Sequence, residues 1–257
     1  MIVNINDHLA RIIVFFEDKK TSSQPLSVYE INDSLTNYFK NCEISVEIDK
    51  NKGIVLKEEL GIELGGMSNT SFSLIYPTNK KLDDDRDLVF VLGNEIQQIN
   101  TKAINFGIFI LIQSDQLDDS LFTQLRHFSS ISNDIEGFSI RSIPRRFWSR
   151  ISDEVIKKGF SFEFFGKAII HSYKKRFEGF INSMKVFMIN SDKQIITEFL
   201  TCVSTMKAEM NQRWKKKIED WKKRIDCDYQ WACEICPYIS ACQNIQEILE
   251  RRKKIEK

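Results

Sequence analysis

A group of four cysteines carries the strongest chemical signal in this sequence. Cys227, Cys233, Cys236 and Cys242 lie within sixteen residues, and Pro237 directly follows the second member of a Cys-x2-Cys pair. Such a pair lets two thiolates converge on one metal centre across a tight turn, and the proline disfavours a helix that would straighten that turn. The two flanking thiols can complete fourfold ligation. The pattern therefore predicts a metal site.

The spacing of the thiols also bears on which metal they bind. Structural zinc sites usually combine two Cys-x2-4-Cys pairs, whereas this run contains one, and iron–sulfur clusters accept more scattered thiolates. We expect a [4Fe-4S] cluster; zinc is the alternative, and thiols that bind no metal are a third interpretation. Cys42 and Cys202 stand apart from the group, which is typical of small buried residues.

A second candidate site combines arginines with a tryptophan. Arg145, Arg146 and Arg150 surround Trp148, and Arg141 lies just upstream. Guanidinium groups suit phosphates, and an indole ring can stack on adenine. If residues 145–151 form a strand, Arg146, Trp148 and Arg150 share one face and Arg145 points to the other. The alternative is a packed tryptophan whose neighbouring arginines are solvated or paired with acidic residues.

The segment around this tryptophan resembles acetyl-CoA synthase, the beta subunit of carbon monoxide dehydrogenase/acetyl-CoA synthase complexes. The family has a Trp-x-Arg-Ile-Ser run followed by Lys-Gly-Phe, which match residues 148–152 and 158–160. The resemblance extends back to Ile62-Glu-Leu-Gly-Gly66 and forward through the apolar run at 185–189. It covers about residues 60–200 and implies an α+β domain whose arginines and tryptophan bind coenzyme A (CoA).

The resemblance also bears on the cysteines. Cys233 and Cys236 occupy the place where the family's Cys-x2-Cys begins a nickel–iron–sulfur cluster. No cysteine follows Cys242 in this sequence, so Cys227 must supply the fourth ligand and the distal nickel site is missing. The resemblance therefore implies an iron–sulfur protein that binds CoA or an acyl thioester. It would act in acyl transfer, as an acyltransferase related to acetyl-CoA synthase, or as an accessory subunit.

Two other function classes compete with this interpretation. One is a non-catalytic interaction protein, a partner of another protein or of a second copy, whose four-cysteine site only holds its C-terminal helices together. The other is a nucleic-acid-acting protein, since residues 207–225 carry eight basic and three acidic residues with Trp214 and Trp221 interleaved. The tryptophans fall on the apolar stripe of a helix, which favours a solvated or partner-docking face over nucleic acid.

The elements that must position these residues follow an α+β pattern. Strand-like apolar runs occupy residues 72–76, 87–92, 104–112 and 184–189. Ser152 and Asp192 have the character of helix N-caps, and Asp192 opens a long helical region that continues to residue 225. We expect a mixed sheet packed with helices, followed by a long helix and a small helical four-cysteine module. The predicted domains are an N-terminal extension (1–60), the α+β domain (61–200) and the cysteine module (201–257).

Composition narrows the class of protein. The 257 residues are 42% hydrophobic and 28% charged, as in soluble globular proteins. The longest apolar stretch spans nine residues, 104–112, far short of the roughly 20 needed to cross a bilayer. Asp7 and Arg11 interrupt the N-terminal apolar run, which argues against a signal peptide, and we expect a cytoplasmic protein with no membrane contact.

Residues 1–140 carry 12 basic and 21 acidic residues, and residues 141–257 carry 25 and 15, so an anionic partner would favour the second half.

Overall fold

The computed structural model describes residues 4–31, 35–51, 53–126, 128–141 and 147–225. The α+β class with mixed sheets is confirmed. The chain divides into two compact units, residues 1–205 and 206–257, and the part of the predicted cysteine module from residue 226 onward, which contains all four cysteines, lies outside the described residues. In chain order the helices and strands are α1 (Ile5–Asp18), β1 (Leu26–Ile31), α2 (Leu35–Lys40), β2 (Leu60–Gly65), β3 (Ser71–Thr78), β4 (Asp87–Leu92), β5 (Ala103–Ile104), β6 (Phe106–Gln113), α3 (Asp119–Leu125), β7 (Phe138–Ile140), β8 (Trp148–Ser152), α4 (Asp153–Lys157), α5 (Phe162–Arg176), β9 (Ser183–Ile189), α6 (Lys193–Cys202) and α7 (Ser204–Ile225).

The larger sheet of the described chain has five strands in the order β1-β4-β9-β6-β3. Strands β4 and β9 are parallel, as are β3 and β6, whereas β1 and β4 and also β6 and β9 run antiparallel. Every residue of the central strands β4, β6 and β9 is buried. This is why these strands are mostly apolar along their length rather than alternating, although β9 also contains the buried Lys185.

Helices cover both faces of this sheet. On one face, Phe16 of α1 contacts the rings of Phe187 and of Phe199 on α6, with centroid separations of 5.4 and 5.1 Å. On the other face, α5 approaches so closely that a Cβ atom at Gly166 would lie 2.4 Å from Cγ1 of Val89. Glycine at this position is therefore what brings the helix backbone down onto the sheet.

The smaller sheet has the order β5-β2-β8-β7. Its inner face supplies Leu64, Phe138 and Ile151 to the same hydrophobic core as α5 and the inner residues of the larger sheet. Because side chains alternate along a strand, the intervening residues of β2 and β8 lie on its outer face. This outer face carries the polar side chains that the sequence singled out.

Helix boundaries agree with the predicted caps, with one difference. The Ser152 hydroxyl accepts a hydrogen bond from the Val155 amide (3.4 Å), and the Asp192 carboxylate accepts one from the Ile195 amide (2.9 Å). The long helical region is interrupted, because α6 ends at Cys202, with Val203 as its C-cap, and α7 begins at Ser204. The apolar spacing continues through Val203, so the interruption leaves no trace in the sequence pattern. Among the described helices, none is long and apolar enough to cross a bilayer.

Candidate functional site

Strand pairing positions the candidate site on the outer face of the smaller sheet. Trp148 of β8 lies opposite Gly65 of β2, and its carbonyl oxygen accepts a hydrogen bond from the Arg141 amide on the other side (2.8 Å). Arg150 lies two residues further along β8 and opposite Glu63. Trp148 and Arg150 thus share one face, as the strand alternation predicted. We call Glu63, Arg141, Trp148 and Arg150 the tryptophan face.

Two guanidinium groups lie against the indole ring of Trp148. The Cζ atom of Arg141 is 4.7 Å from the ring centroid, and that of Arg150 is 5.4 Å away. Both separations fall within the roughly 6 Å range of a cation–π contact, which contributes about 0.5–1 kcal/mol at exposed sites. Trp148 therefore organises the two arginines, whatever else they bind.

Arg150 is also held by an ion pair whose acidic partner the sequence did not identify. Its Nε donates to a carboxylate oxygen of Glu63 at 2.7 Å, and the two side chains are only 12% and 17% exposed. A second guanidinium nitrogen of Arg150 lies 3.4 Å from the Val55 carbonyl. Much of the Arg150 charge is consequently neutralised within the protein, in line with the interpretation that pairs the arginines with the acidic first half.

The end of β2 and the turn that follows it lie close against the indole. Gly65 and Gly66 have φ values of +76° and +95°, which glycine adopts readily and other residues rarely do. A Cβ atom at Gly66 would lie 3.3 Å from both Cδ1 and Nε1 of Trp148. Within the described part of the chain, the buried Nε1–H of Trp148 has no hydrogen-bond acceptor. The face thus contains an unused donor next to its arginines.

Several predicted site residues lie outside the described residues. These are Arg145 and Arg146, and the four cysteines Cys227, Cys233, Cys236 and Cys242. Among the residues that are described, no group of three or more His, Cys, Asp or Glu side chains is arranged to hold a metal ion. The structure therefore adds no geometry to the predicted cluster.

The remaining two cysteines have the character of structural residues. Cys42 and Cys202 are both half-buried free thiols. Burial raises the pKa of each thiol above its ordinary value; the nearby Lys167 opposes this at Cys42, and Arg11 opposes it at Cys202. Cys42 also donates a hydrogen bond through its thiol to the Tyr38 carbonyl (3.2 Å). A thiol that stays protonated is a poor metal ligand.

The tryptophan face lies within a segment that matches a known protein family. A family model for the CO dehydrogenase/acetyl-CoA synthase complex beta subunit matches residues 42–195. This chain belongs to that family. The match contains both sheets except β1, and it includes every residue of the tryptophan face. It ends before the four cysteines.

Individual members of the family agree with this match. The acetyl-CoA decarbonylase/synthase complex subunit beta of Methanopyrus kandleri is 26% identical over 183 residues, which are 69% of this chain and 37% of the relative. Its counterpart in Methanothermobacter thermautotrophicus is 24% identical over 68% of this chain and 36% of the relative. The carbon monoxide dehydrogenase/acetyl-CoA synthase subunit alpha of Moorella thermoacetica is 22% identical over 71% and 24%. The chain thus aligns with less than two fifths of each of these acetyl-CoA synthase relatives.

Proposed function

We propose that this chain binds CoA or an acyl thioester on the tryptophan face, in acyl transfer or as an accessory subunit of a larger enzyme. The observation that carries the proposal is the pair of arginines at the Trp148 ring, within the segment that matches the acetyl-CoA synthase family. Guanidinium groups bind phosphate oxygens through paired hydrogen bonds, and an indole face accepts a stacked purine. CoA presents both groups at its nucleotide end.

The two arginines are not equivalent in this proposal. Arg150 is engaged by Glu63, so a phosphate would compete with a carboxylate for it. Arg141 is half-buried and makes no ion pair with any described residue, so its charge is available. We therefore assign the principal phosphate contact to Arg141, and to Arg150 the role of fixing the indole. Arg145 and Arg146 are further candidates from the sequence.

The four cysteines form the second part of the proposal. Four thiols within sixteen residues supply the donor number and type of a [4Fe-4S] cluster, with zinc as the alternative. Cys227, Cys233, Cys236 and Cys242 would hold the group, which would supply electron transfer when bound. The proposed binding of CoA on the tryptophan face does not require this metal group.

Calorimetric titration of the full chain with CoA tests the nucleotide site. We expect Arg141→Ala to weaken binding about tenfold or more, because a hydrogen bond to a charged group contributes about 1.5–3 kcal/mol. Arg150→Ala should have a smaller effect, and added salt should weaken binding because it screens phosphate contacts. No binding at millimolar CoA would refute the proposal.

Fluorescence identifies the tryptophan involved, since the chain contains four. CoA should quench emission in the parent chain and in the control Trp214→Phe, but the quench should disappear in Trp148→Phe. A quench that survives Trp148→Phe would place the ligand elsewhere.

A non-catalytic interaction protein is the second candidate, because the Glu63–Arg150 ion pair gives Arg150 a structural role that needs no ligand. If the tryptophan face only stabilises the sheet, Arg141→Ala and Arg150→Ala should lower the free energy of unfolding and leave any CoA affinity unchanged. Denaturant unfolding beside the calorimetry separates the two functions.

A further inference from the structure

A second polar cleft opens at one edge of the larger sheet, where the parallel strands β4 and β9 end. Its volume is about 440 Å³, and no described residue that lines it is charged. Amide side chains dominate the lining. We call this site the amide cleft and define it by Gln24, Asn69, Asn94, Asn100, Asn105 and Asn190.

The chain path explains why a crevice forms at this edge. After β4 the chain turns onto the face covered by α5, where the Glu95 carboxylate accepts a hydrogen bond from the Phe162 amide (2.8 Å). After β9 it turns to the opposite face, where Phe199 of α6 packs on Phe16 of α1. When neighbouring parallel strands send their connections to opposite faces, a crevice remains at their carboxyl ends, and open α/β sheets bind ligands there.

Some of the amides build the cleft. Asn105 accepts a hydrogen bond from the Thr70 amide (2.8 Å) and donates one to the Ser191 carbonyl (3.1 Å). Asn190 donates to the Asn94 carbonyl (3.1 Å) and so ties together the loops that follow β4 and β9. These contacts make the walls a fixed part of the fold.

Other amides are available to a ligand. The buried Nε2 of Gln24 has no hydrogen-bond acceptor among the described residues, and a buried unsatisfied donor costs about 1–3 kcal/mol. The exposed residues Asn94 and Asn100 also line the cleft with amide side chains. A ligand carbonyl that accepts from Gln24 would remove this penalty.

The amide cleft lies beside the tryptophan face. Asn69 donates to the carbonyl of Gly65 (3.3 Å), and Gly65 is the register partner of Trp148. In the parallel β2–β5 pair, Ala103 of the cleft lies beside Glu63 of the tryptophan face. Strands β5 and β8 flank β2, so the two sites are separated by two strand spacings, roughly 10 Å.

We infer that the amide cleft binds an uncharged, amide-bearing ligand segment and that it takes the pantetheine arm of CoA. The second half of this inference rests on the proposed function, because the nucleotide end must lie on the tryptophan face. Pantetheine carries amides and hydroxyls and no charge, which complements a lining of amides and hydroxyls. Its path from the nucleotide passes the backbone of Gly65, which accepts the hydrogen bond from Asn69 and lies opposite Trp148.

Ligand-observed NMR titrations of the full chain with pantetheine, adenosine 3′,5′-bisphosphate and CoA test the inference. Gln24→Leu should weaken pantetheine and CoA about fivefold, the effect of one hydrogen bond, and leave the bisphosphate unchanged. Arg141→Ala should weaken the binding of adenosine 3′,5′-bisphosphate and leave that of pantetheine unchanged. Gln24→Leu should not lower the free energy of unfolding, since it removes an unsatisfied donor.

Controls make each outcome decisive. Gln116→Leu, an exposed glutamine after β6, should change none of the affinities, and Asn100→Ala offers a second cleft variant if Gln24→Leu does not fold. Pantetheine that does not bind, or that binds both cleft variants as well as the parent, overturns the inference even if the bisphosphate still depends on Arg141. If the bisphosphate fails and pantetheine still depends on Gln24, the cleft stands and the nucleotide site of the proposed function falls.

Discussion

At the scale of single residues, Arg150 illustrates how a candidate ligand-binding group is shared between binding and structure. Its neighbour Glu63 lies 87 positions away in sequence yet bonds it at 2.7 Å. Since both side chains are mostly shielded from water, removing one charge leaves the other poorly solvated. Breaking the pair should therefore change the free energy of unfolding by a measurable amount.

Glu63→Gln should lower the free energy of unfolding by about 1.5–3 kcal/mol, the contribution of a hydrogen bond between charged groups. The double variant Glu63→Gln/Arg150→Met should recover part of this loss, because no unpaired charge remains. Asp153→Asn, which breaks the exposed Lys157 pair, should cost less than about 1 kcal/mol. Urea unfolding measures all three; equal losses at both sites would contradict the argument.

The burial of Cys42 and Cys202 predicts how the reactivity of their thiols depends on pH. Burial raises the pKa of the Cys42 and Cys202 thiols above the ordinary 9.0, so fewer thiolates form below that pH than in a free thiol. Alkylation by iodoacetamide at pH 8 should be slower at both positions than for N-acetylcysteine, and its rate should keep rising with pH above 9, because the thiolate fraction grows until the pH passes the raised pKa. Peptide mass spectrometry follows each site. Labelling of Cys42 at the rate of the free thiol would be inconsistent with this burial.

At the scale of elements, helix α5 joins the two sheets. Its hydrophobic residues belong to the core that also contains β4, β6 and the inner face of the smaller sheet. Glycine in a helix is unfavourable by about 1 kcal/mol relative to alanine, yet Gly166 occupies the middle of this helix. The close approach to Val89 and Met188 accounts for it.

Gly166→Ala should therefore destabilise the protein despite its gain in helix propensity. A new methyl group 2.4 Å from Val89 forces packing shifts that cost about 1–3 kcal/mol, which exceeds the gain of about 1 kcal/mol. Lys175→Ala, on the exposed side of the same helix, should be neutral or mildly stabilising. Thermal unfolding compares them, and a Gly166→Ala protein that is more stable than the parent would show that α5 has room to move.

At the scale of the whole molecule, the segment that matches the family and the four-cysteine segment are separate parts of the sequence, each with its own candidate site. The family match covers residues 42–195, and the cysteines begin at residue 227. The acidic excess of residues 1–140 includes Glu63, whereas the basic excess of the second half includes the tryptophan face arginines. The ion pair between Glu63 and Arg150 joins these two halves of the sequence in one sheet.

Anaerobically purified full chain should contain about four iron atoms and matching sulfide per molecule if the cysteines bind a [4Fe-4S] cluster. Cys233→Ser and Cys236→Ser should lose the iron, because a thiolate ligand is removed. Cys42→Ser should retain the iron, since burial raises the pKa of the Cys42 thiol and the thiol donates a hydrogen bond to the Tyr38 carbonyl. Stoichiometric zinc without sulfide would reject the cluster, and iron loss in Cys42→Ser would show that the ligand set is wrong.

The sequence by itself determined the local features of this protein. The apolar runs at 87–92 and 184–189 are strands, Ser152 and Asp192 cap helices, and Trp148 shares a face with Arg150. Each of these depends on neighbours within a few positions, where periodicity and capping act. Family membership was also evident, because its Trp-x-Arg-Ile-Ser run is contiguous.

Only the tertiary structure decided which distant residues meet. Glu63 reaches Arg150 because β2 and β8 pair in one register, and a shift of one residue would have turned Glu63 into the core. The amide cleft gathers Gln24, Asn100 and Asn190 from segments with no common motif. Isolated asparagines in loops indicate turns; they become a site because the connections after β4 and β9 leave the sheet in opposite directions, which no local pattern specifies.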